Sequence, residues 1–281
     1  MRVGLVSCSP LPEPDPDEDL LLDALTEAGL SPMLLPWNVC SSDPGTFELC
    51  VLRSCWDYHF VPGRFVEWLT DAAARTRLLN PLPVVRWNLH KSYLRELEAA
   101  GVPVVPTAWV GRGDPPDLAG VMEDRGWDEV VVKPAIGAGS YQTRRFDIDA
   151  AGDAGGVFLA SLMDRGEAMI QPFMASVMTA GERSLVWIDG EFTHQIVKQP
   201  RYHGQDEQVS GASAPSGTDL RIATQALSCV AEPLLYARVD LIEDQDGAAV
   251  VSELELIEPS LFLLQHRPAL DRFVAAIARY A

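Results

Sequence analysis

YARVDLIEDQDGAAVVSELELIEPSLFL, the stretch from Tyr236 to Leu263, reads as two short strands joined by a turn. Val239, Leu241 and Ile242 form the first apolar run, Gln245-Asp246-Gly247 the turn, and Ala248 to Ile257 the second strand. Side chains repeat every two residues along a strand, so Glu253 and Glu255 share a face, and Asp240 on the neighbouring strand can face them. Carboxylates gathered on one surface repel each other unless a cation lies among them, and hard oxygen donors of this kind suit Mg²⁺. The competing reading is an edge strand with its charges in water. Arg238 two residues before the aspartate, Pro259 closing the second strand, and lysine- and glycine-bearing segments upstream favour the cation-binding face.

At 281 residues the chain can bury a large core divided into two or three lobes. A hydrophobic share of 47% with 22% charged residues is ordinary for a globular protein. The net charge of −18 disfavours nucleic acid or an anionic membrane as partner, and an anionic substrate then needs local cations. Cys8, Cys40, Cys50, Cys55 and Cys229 lack metal-ligand spacing and read as reduced thiols. With no apolar run long enough for a membrane span and no signal-peptide shape in MRVGLVSCSP, the expected location is the cytoplasm.

Upstream, Arg2 to Val6, Met33 to Leu35 and Phe47 to Leu52 read as strands, with a helix from the acidic Asp15–Asp19 segment to Ala28. This alternation predicts a parallel α/β lobe, without the GxGxxG of a dinucleotide site. RSCWDY, Arg53 to Tyr58, follows the third strand at its carboxyl end, where ligands of such sheets sit. Arg53 and Asp57 are therefore candidate substrate contacts; the alternative is an Arg53–Asp57 pair that only fixes the loop. A helix is expected over Phe65 to Ala74, and another within Trp87 to Thr107, capped by Asn88 and stopped by Gly101. Lys91 falls in its first turn, poor for the helix dipole and suited to an anion. In EVVVKPAIGAGSYQTRRF, Glu129 to Phe146, a β-branched run delivers Lys133, and Gly137, Gly139 and Ser140 form a loop whose N–H groups can cradle phosphate. The alternative is a hairpin turn with a solvated lysine.

Ala168 to Phe173 is expected to be a strand, and Gly181 to Pro200 a hairpin turning at Asp189-Gly190. The polar, glycine- and serine-rich His203 to Gly217 reads as a loop that closes over substrate. Leu220 to Tyr236 reads as a helix ended or bent by Pro233, and Pro268 to Tyr280 as an amphipathic helix. Glu258 and Ser260, where the second strand leaves the sheet, are candidates for contact with a substrate amino group.

These segments, in this order, resemble the ATP-grasp superfamily from about Leu52 onward. The resemblance implies an α/β and α+β fold: a parallel α/β N-terminal lobe (1–86) and two α+β lobes clamping ATP, a central one (87–167) with the glycine loop and a C-terminal one (168–281) with the metal site. It implies that Lys91 and Lys133 hold the nucleotide phosphates, that Gly137 to Ser140 folds over them, and that Gln171, Pro172 and Phe173 hold adenine. Gly181 to Thr193, with Glu182, is similar to a hairpin of glutathione synthetase that follows the adenine segment. ARVD, Ala237 to Asp240, looks like the same residues in D-alanine–D-alanine ligases, where the arginine stabilises the transferring phosphoryl and the aspartate binds Mg²⁺. Glu253-Leu254-Glu255 with Pro259 has the spacing of a Glu-x-Asn…Pro metal motif, with Glu255 in place of Asn. Arg183 sits one residue from the usual arginine position, which on a strand reverses its face, so Lys198 is the expected γ-phosphate contact.

RSCWDY, RWNLHKSYL, QPF, GERS, YARVD and ELELIEPSLFL together are similar to the group that closes the D-cycloserine ring. That implies ATP, Mg²⁺ and a small amino-acid-like substrate, O-ureido-D-serine, and leaves a homodimer open. Three alternatives stand beside it. A ligase joining two separate amino acids would use the same parts. A metal-dependent hydrolase is disfavoured because none of His59, His90, His194, His203 and His266 clusters with the carboxylates, and each reads as structural or surface. A non-catalytic ATP-binding module is disfavoured because no member of the phosphoryl-transfer set is missing.

Overall fold

The computed structural model describes residues 1–199 and 208–280. β1 (Arg2–Ser7), α1 (Glu18–Glu27), β2 (Ser31–Pro36), β3 (Leu49–Leu52), α2 (Pro62–Arg75) and β4 (Arg77–Leu79) build the first lobe. Its strands form a parallel sheet in the order β2-β1-β3-β4. Leu49 to Leu52 are all buried, as a continuous apolar run covered on both faces should be.

α3 (Leu82–Asn88) and α4 (Tyr93–Ala99) follow where the sequence predicts one helix capped by Asn88. Asn88 ends α3 instead of capping α4. Its buried amide donates to the Leu254 carbonyl (2.8 Å) and accepts from Leu256 N–H (2.9 Å), so it is committed to a distant strand. The break between the helices places the Lys91 N–H on the Ala135 carbonyl, 2.8 Å away.

The central lobe consists of β5 (Ala108–Val110), α5 (Leu118–Arg125), β6 (Glu129–Pro134), β7 (Arg144–Asp147), the one-turn α6 (Ile148–Ala150), α7 (Gly156–Met163) and β8 (Ala168–Pro172). Its antiparallel sheet runs β5-β8-β6-β7 and has its own core, with Val130, Val132, Phe158, Leu159 and Ile170.

β9 (Glu182–Ile188), β10 (Glu191–Lys198), α8 (Gly217–Ser228), β11 (Tyr236–Glu243), β12 (Ala249–Glu255) and α9 (Arg267–Ala278) complete the chain. This antiparallel sheet runs β10-β9-β11-β12. Asp189 and Gly190 both take positive φ (48° and 93°), the two-residue turn expected of that dipeptide. The helix predicted to reach Tyr236 stops at Ser228, and Tyr236 opens β11 instead. Of the loop expected from His203 to Gly217, residues 203–207 lie outside the described residues. Val209 and Ser213 form bridges to Lys198 and Gln195.

The first and last lobes share one core, in which Leu5 and Val51 cluster with Ile188, Tyr236, Leu263 and Phe273. Asn80 ties the same seam: its amide donates to the carbonyls of Tyr236 and Leu256 (both 2.9 Å) and accepts from Leu235 N–H (2.7 Å). Tyr236 and β12 are therefore fixed against the N-terminal sheet, and the residues they carry have a rigid base. Among the described residues no helix is long and apolar enough to cross a membrane.

Candidate active site

β11 and β12 pair antiparallel with Arg238 opposite Glu255 and Asp240 opposite Glu253, which sets these four side chains on one face. Strict alternation would bring Val251 to that face too. A bulge after Asp240 pairs Leu241 with Val251, which makes Ser252 the extra residue. Val251 thereby turns into the core, where it joins Ala237, Val239, Leu241 and Leu254 in one apolar cluster.

The polar face forms one wall of a cavity of about 690 Å³ between the central and C-terminal sheets. Lys91, Lys133, the loop residues Gly137, Gly139 and Ser140, the β8 segment Gln171, Pro172 and Phe173, Glu182, Lys198, Glu258 and Ser260 complete its lining together with Arg238, Asp240, Glu253 and Glu255. Gly139 has φ +57°, a backbone region that glycine enters without strain and that lets the loop bend over the cavity.

Arg53 and Asp57 do not line this cavity, contrary to the sequence expectation, and they do not pair with each other. Arg53 is 5% exposed; it donates to the Pro259 carbonyl (3.1 Å) and lies over the rings of Tyr236 and Phe273. Asp57 accepts from Trp37 Nε1 (2.6 Å) and Asn38 Nδ2 (2.8 Å). Both hold the loop through groups remote in sequence. Arg183 also lies outside the cavity lining: it pairs with Asp219 (3.0 Å) and Glu243 (3.2 Å).

The expected meeting of Asp240, Glu253 and Glu255 around one point takes a different form. Among the described residues no group of three metal-ligating side chains is assembled. Carboxylates gathered on one face repel, and each here, buried Asp240 and half-buried Glu253 and Glu255, has recruited a cation of the protein. Lys91 bonds Glu253. Lys198 Nζ lies 2.9 Å from Asp240 and 3.2 Å from Glu182. Arg238 grips Asp240 through two bonds of 2.9 Å, and also reaches Glu255 and the Ser260 carbonyl (3.3 Å). These are hard oxygen donors of the kind Mg²⁺ takes, so the donor set fits that ion once the internal cations yield.

Charge balance tunes the groups unequally. Burial pushes the Asp240 carboxyl up, yet Arg238 and Lys198 outweigh it and hold it well below the usual range. Burial raises Glu255 to about 7 and Glu182 to about 7, against the pull of Arg238 and Lys198 respectively. Burial lowers Lys133, which has no ion-pair partner among the described residues; Glu253 only partly offsets the effect. An unpaired lysine in a cavity wall is poised for an anion supplied from outside.

Trp56, Tyr58, His59 and Tyr141 also line the cavity, and the sequence expectation does not include them among the site residues. The aromatic run WDYHF at the carboxyl end of β3 is the signal that points to the first three. Trp56 Nε1 donates to the Glu258 carbonyl (3.0 Å), and Glu258 itself is pushed well up by burial and by Glu255.

Residues 3–80 match the family described as D-cycloserine synthetase DcsG, N-terminal domain. The cycloserine biosynthesis protein DcsG of Streptomyces lavendulae is 31% identical over 288 aligned positions, covering 94% of this chain and 93% of that protein. The crystal structure of D-cycloserine synthetase DcsG superposes with a TM-score of 0.92 at 30% identity, covering 100% of both chains. The ATP-grasp ligase PsnB, complexed with a minimal precursor, has a TM-score of 0.68 at 18% identity, covering 100% of this chain and 99% of its own. That last likeness is one of fold.

Proposed function

The chain belongs to the D-cycloserine synthetase family of ATP-grasp ligases, and on that premise we propose that it is an ADP-forming carboxylate–amine ligase that closes the D-cycloserine ring from O-ureido-D-serine. The observation that carries this reading is the cavity in which Lys91, Lys133, Lys198 and Arg238 converge on the carboxylates of β11 and β12. In this reading the lobes divide at 1–86, 87–167 and 168–281, and the protein works in the cytoplasm.

Gln171, Pro172 and Phe173 hold adenine, and Lys91, Lys133 and the Gly137–Ser140 loop hold the phosphates, with Glu182 on the nucleotide side. Asp240, Glu253 and Glu255 would hold Mg²⁺, which when bound neutralises phosphate charge. Lys198 aligns the γ-phosphoryl with the substrate carboxylate; a carboxylate oxygen attacks phosphorus and ADP leaves. Catalysis at this stage is positioning and electrostatics, with no protein nucleophile. The oxygen-linked ureido nitrogen then attacks the acyl carbon, the C–O bond to phosphate breaks, and the nitrogen loses its proton. Arg238, held by Asp240, stabilises the oxyanion formed in that attack. Hydrolysis of the carbamoyl group to carbon dioxide and ammonia leaves the ring N–H. Glu258 and Ser260, on the wall formed with Trp56, hold the amino-acid end of the substrate.

The test is ADP release with ATP, Mg²⁺ and O-ureido-D-serine alone, beside a panel of amino acids and their pairs. Turnover with the single compound is expected, with at least a ~100-fold loss in Glu253→Gln. ADP release only when two amino acids are supplied would replace ring closure by peptide or amide ligation. Tight ATP binding without release on any substrate would leave a binding module.

A further inference from the structure

The glycine loop of the central lobe is fastened to the first lobe. Ile136 and Ala138, on either side of Gly137, pack against the apolar cluster that contains Tyr58, Phe65 and Leu69. Tyr141, next after Ser140, makes a second contact. Its ring centroid lies 4.6 Å from that of His59 and 5.1 Å from that of Phe60, the latter edge-on at 81°. Aromatic rings at such separations attract each other beyond the area they bury. The hydroxyl is tied to the central lobe, where Arg165 donates to it at 3.0 Å. Tyr141 therefore spans the boundary between two lobes, and it lines the cavity together with His59, Phe60 and the glycine loop.

The backbone is bent to deliver that ring. Tyr141 N–H donates to the Ala138 carbonyl (3.0 Å) and Thr143 N–H to the Ser140 carbonyl (3.1 Å), two overlapping turns that share Tyr141. Ser140 and Gln142, on either side of it, take φ of 59° and 49°. Residues with a Cβ avoid that region and persist in it where surrounding contacts hold them. The ring contacts and the Arg165 bond of Tyr141 supply that hold. Phe60 is 59% exposed, so its ring serves the rim of the cavity more than the core of its own lobe.

We propose that Tyr141 is a positioning residue that docks the glycine loop on the first lobe and thereby keeps water from the acyl phosphate. The inference rests on the ligase reading above and deepens it, because it gives the first lobe a part in closing the nucleotide site. Water that reaches an acyl phosphate restores the carboxylate and releases inorganic phosphate, so ATP is consumed and no ring closes. A loop docked through Tyr141 keeps that route shut while the nitrogen attacks.

The test uses the full chain and one variant on each side of the contact, Tyr141→Ala and Phe60→Ser, with Tyr141→Phe as the control that keeps the ring. Hydrogen exchange of residues 136–143 is measured with Mg²⁺ and a non-hydrolysable ATP analogue bound. ADP released per D-cycloserine formed is measured with O-ureido-D-serine. In Tyr141→Ala the loop amides are expected to exchange ~3- to 10-fold faster, and ADP per ring to rise in similar proportion. Phe60→Ser should move both readouts the same way, and Tyr141→Phe should stay near wild type. Wild-type exchange or wild-type stoichiometry in Tyr141→Ala overturns the inference. So does an unmoved Phe60→Ser, or a Tyr141→Phe as impaired as Tyr141→Ala, which would credit the Arg165 bond alone. A wild type that closes no ring, while its loop keeps a protection that Tyr141→Ala and Phe60→Ser lose, overturns the ring-closing reading and supports the docking.

Discussion

Lys91, Lys198 and Arg238 each occupy a carboxylate that a divalent cation would also use. Breaking such a pair without a substitute leaves a buried charge exposed to a low dielectric. Mg²⁺ arriving alone must therefore strand a lysine, whereas Mg²⁺ arriving with a nucleotide hands that lysine a phosphate. Binding is expected to be cooperative: by calorimetry, Mg²⁺ affinity should be at least ~10-fold tighter with ADP present than without it. Equal affinities would mean that the internal pairs yield without help. The same pairwise logic separates Asp57 from the site. Asp57→Ala leaves Trp37 Nε1 without its acceptor and Asn38 Nδ2 with only the Ser9 carbonyl, and should cost about 2 kcal/mol in urea unfolding. ADP affinity should be unchanged, since the aspartate does not line the cavity. A large loss of ADP affinity at unchanged stability would restore it to the site.

The β9–β10 hairpin brings Lys198 to the cavity, and its base is set by Gly181. That glycine has φ +75°, and a Cβ there would lie 2.7 Å from the Lys198 carbonyl oxygen and 2.7 Å from Val197 Cγ1. Gly181→Ala must push β10 aside at the residue that pairs with Asp240. It should lower stability by about 1–3 kcal/mol and reduce kcat more than ADP affinity; an unchanged melting temperature would show that the strand end gives way freely. The hairpin was legible because Asp189-Gly190 writes its own turn, and the carboxylate strand was legible because alternation survives from Glu253 to Glu255. The bulge at Ser252 was not legible: VVSELEL carries no glycine, and the bulge exists because Val251 belongs in a core built by other elements. The same reason hid the break before α4. Asn88 looks like a cap in sequence, but its partners lie on the far side of the chain, at Leu254 and Leu256. Arg53 resembled a ligand-binding arginine for want of any sign of Pro259.

The first and last lobes form one body through a common core, while the central lobe keeps a core of its own. Loop and lobe closure over substrate should therefore move the central sheet against a rigid base that carries Arg238, Asp240 and Glu253. The integrity of that base depends on α9, and His194 on β10 packs against His266 at the helix's N-terminal end, with ring centroids 4.8 Å apart. His194 is 1% exposed, and its Nδ1 lies 2.9 Å from Thr193 Oγ1. Burial, reinforced by His266, lowers it from 6.5 to about 4. Between those values the unfolded chain binds a proton that the folded chain refuses, so stability rises with pH across the window and is lost as pH falls from about 6.5 toward 4. The full shift sets a ceiling of about 3 kcal/mol. Glu182 and Glu255, raised to about 7, act in the opposite sense, because the fold takes up protons there more readily than the unfolded chain. Wild type must therefore be compared with His194→Asn, which keeps those carboxylates and removes the titrating ring. The melting temperature should fall more steeply in wild type than in His194→Asn between about pH 7 and pH 5, and the difference should close as the pH returns to about 7. Parallel curves would mean that the two histidines rearrange to admit the proton and that the seam beneath α9 does not limit acid stability.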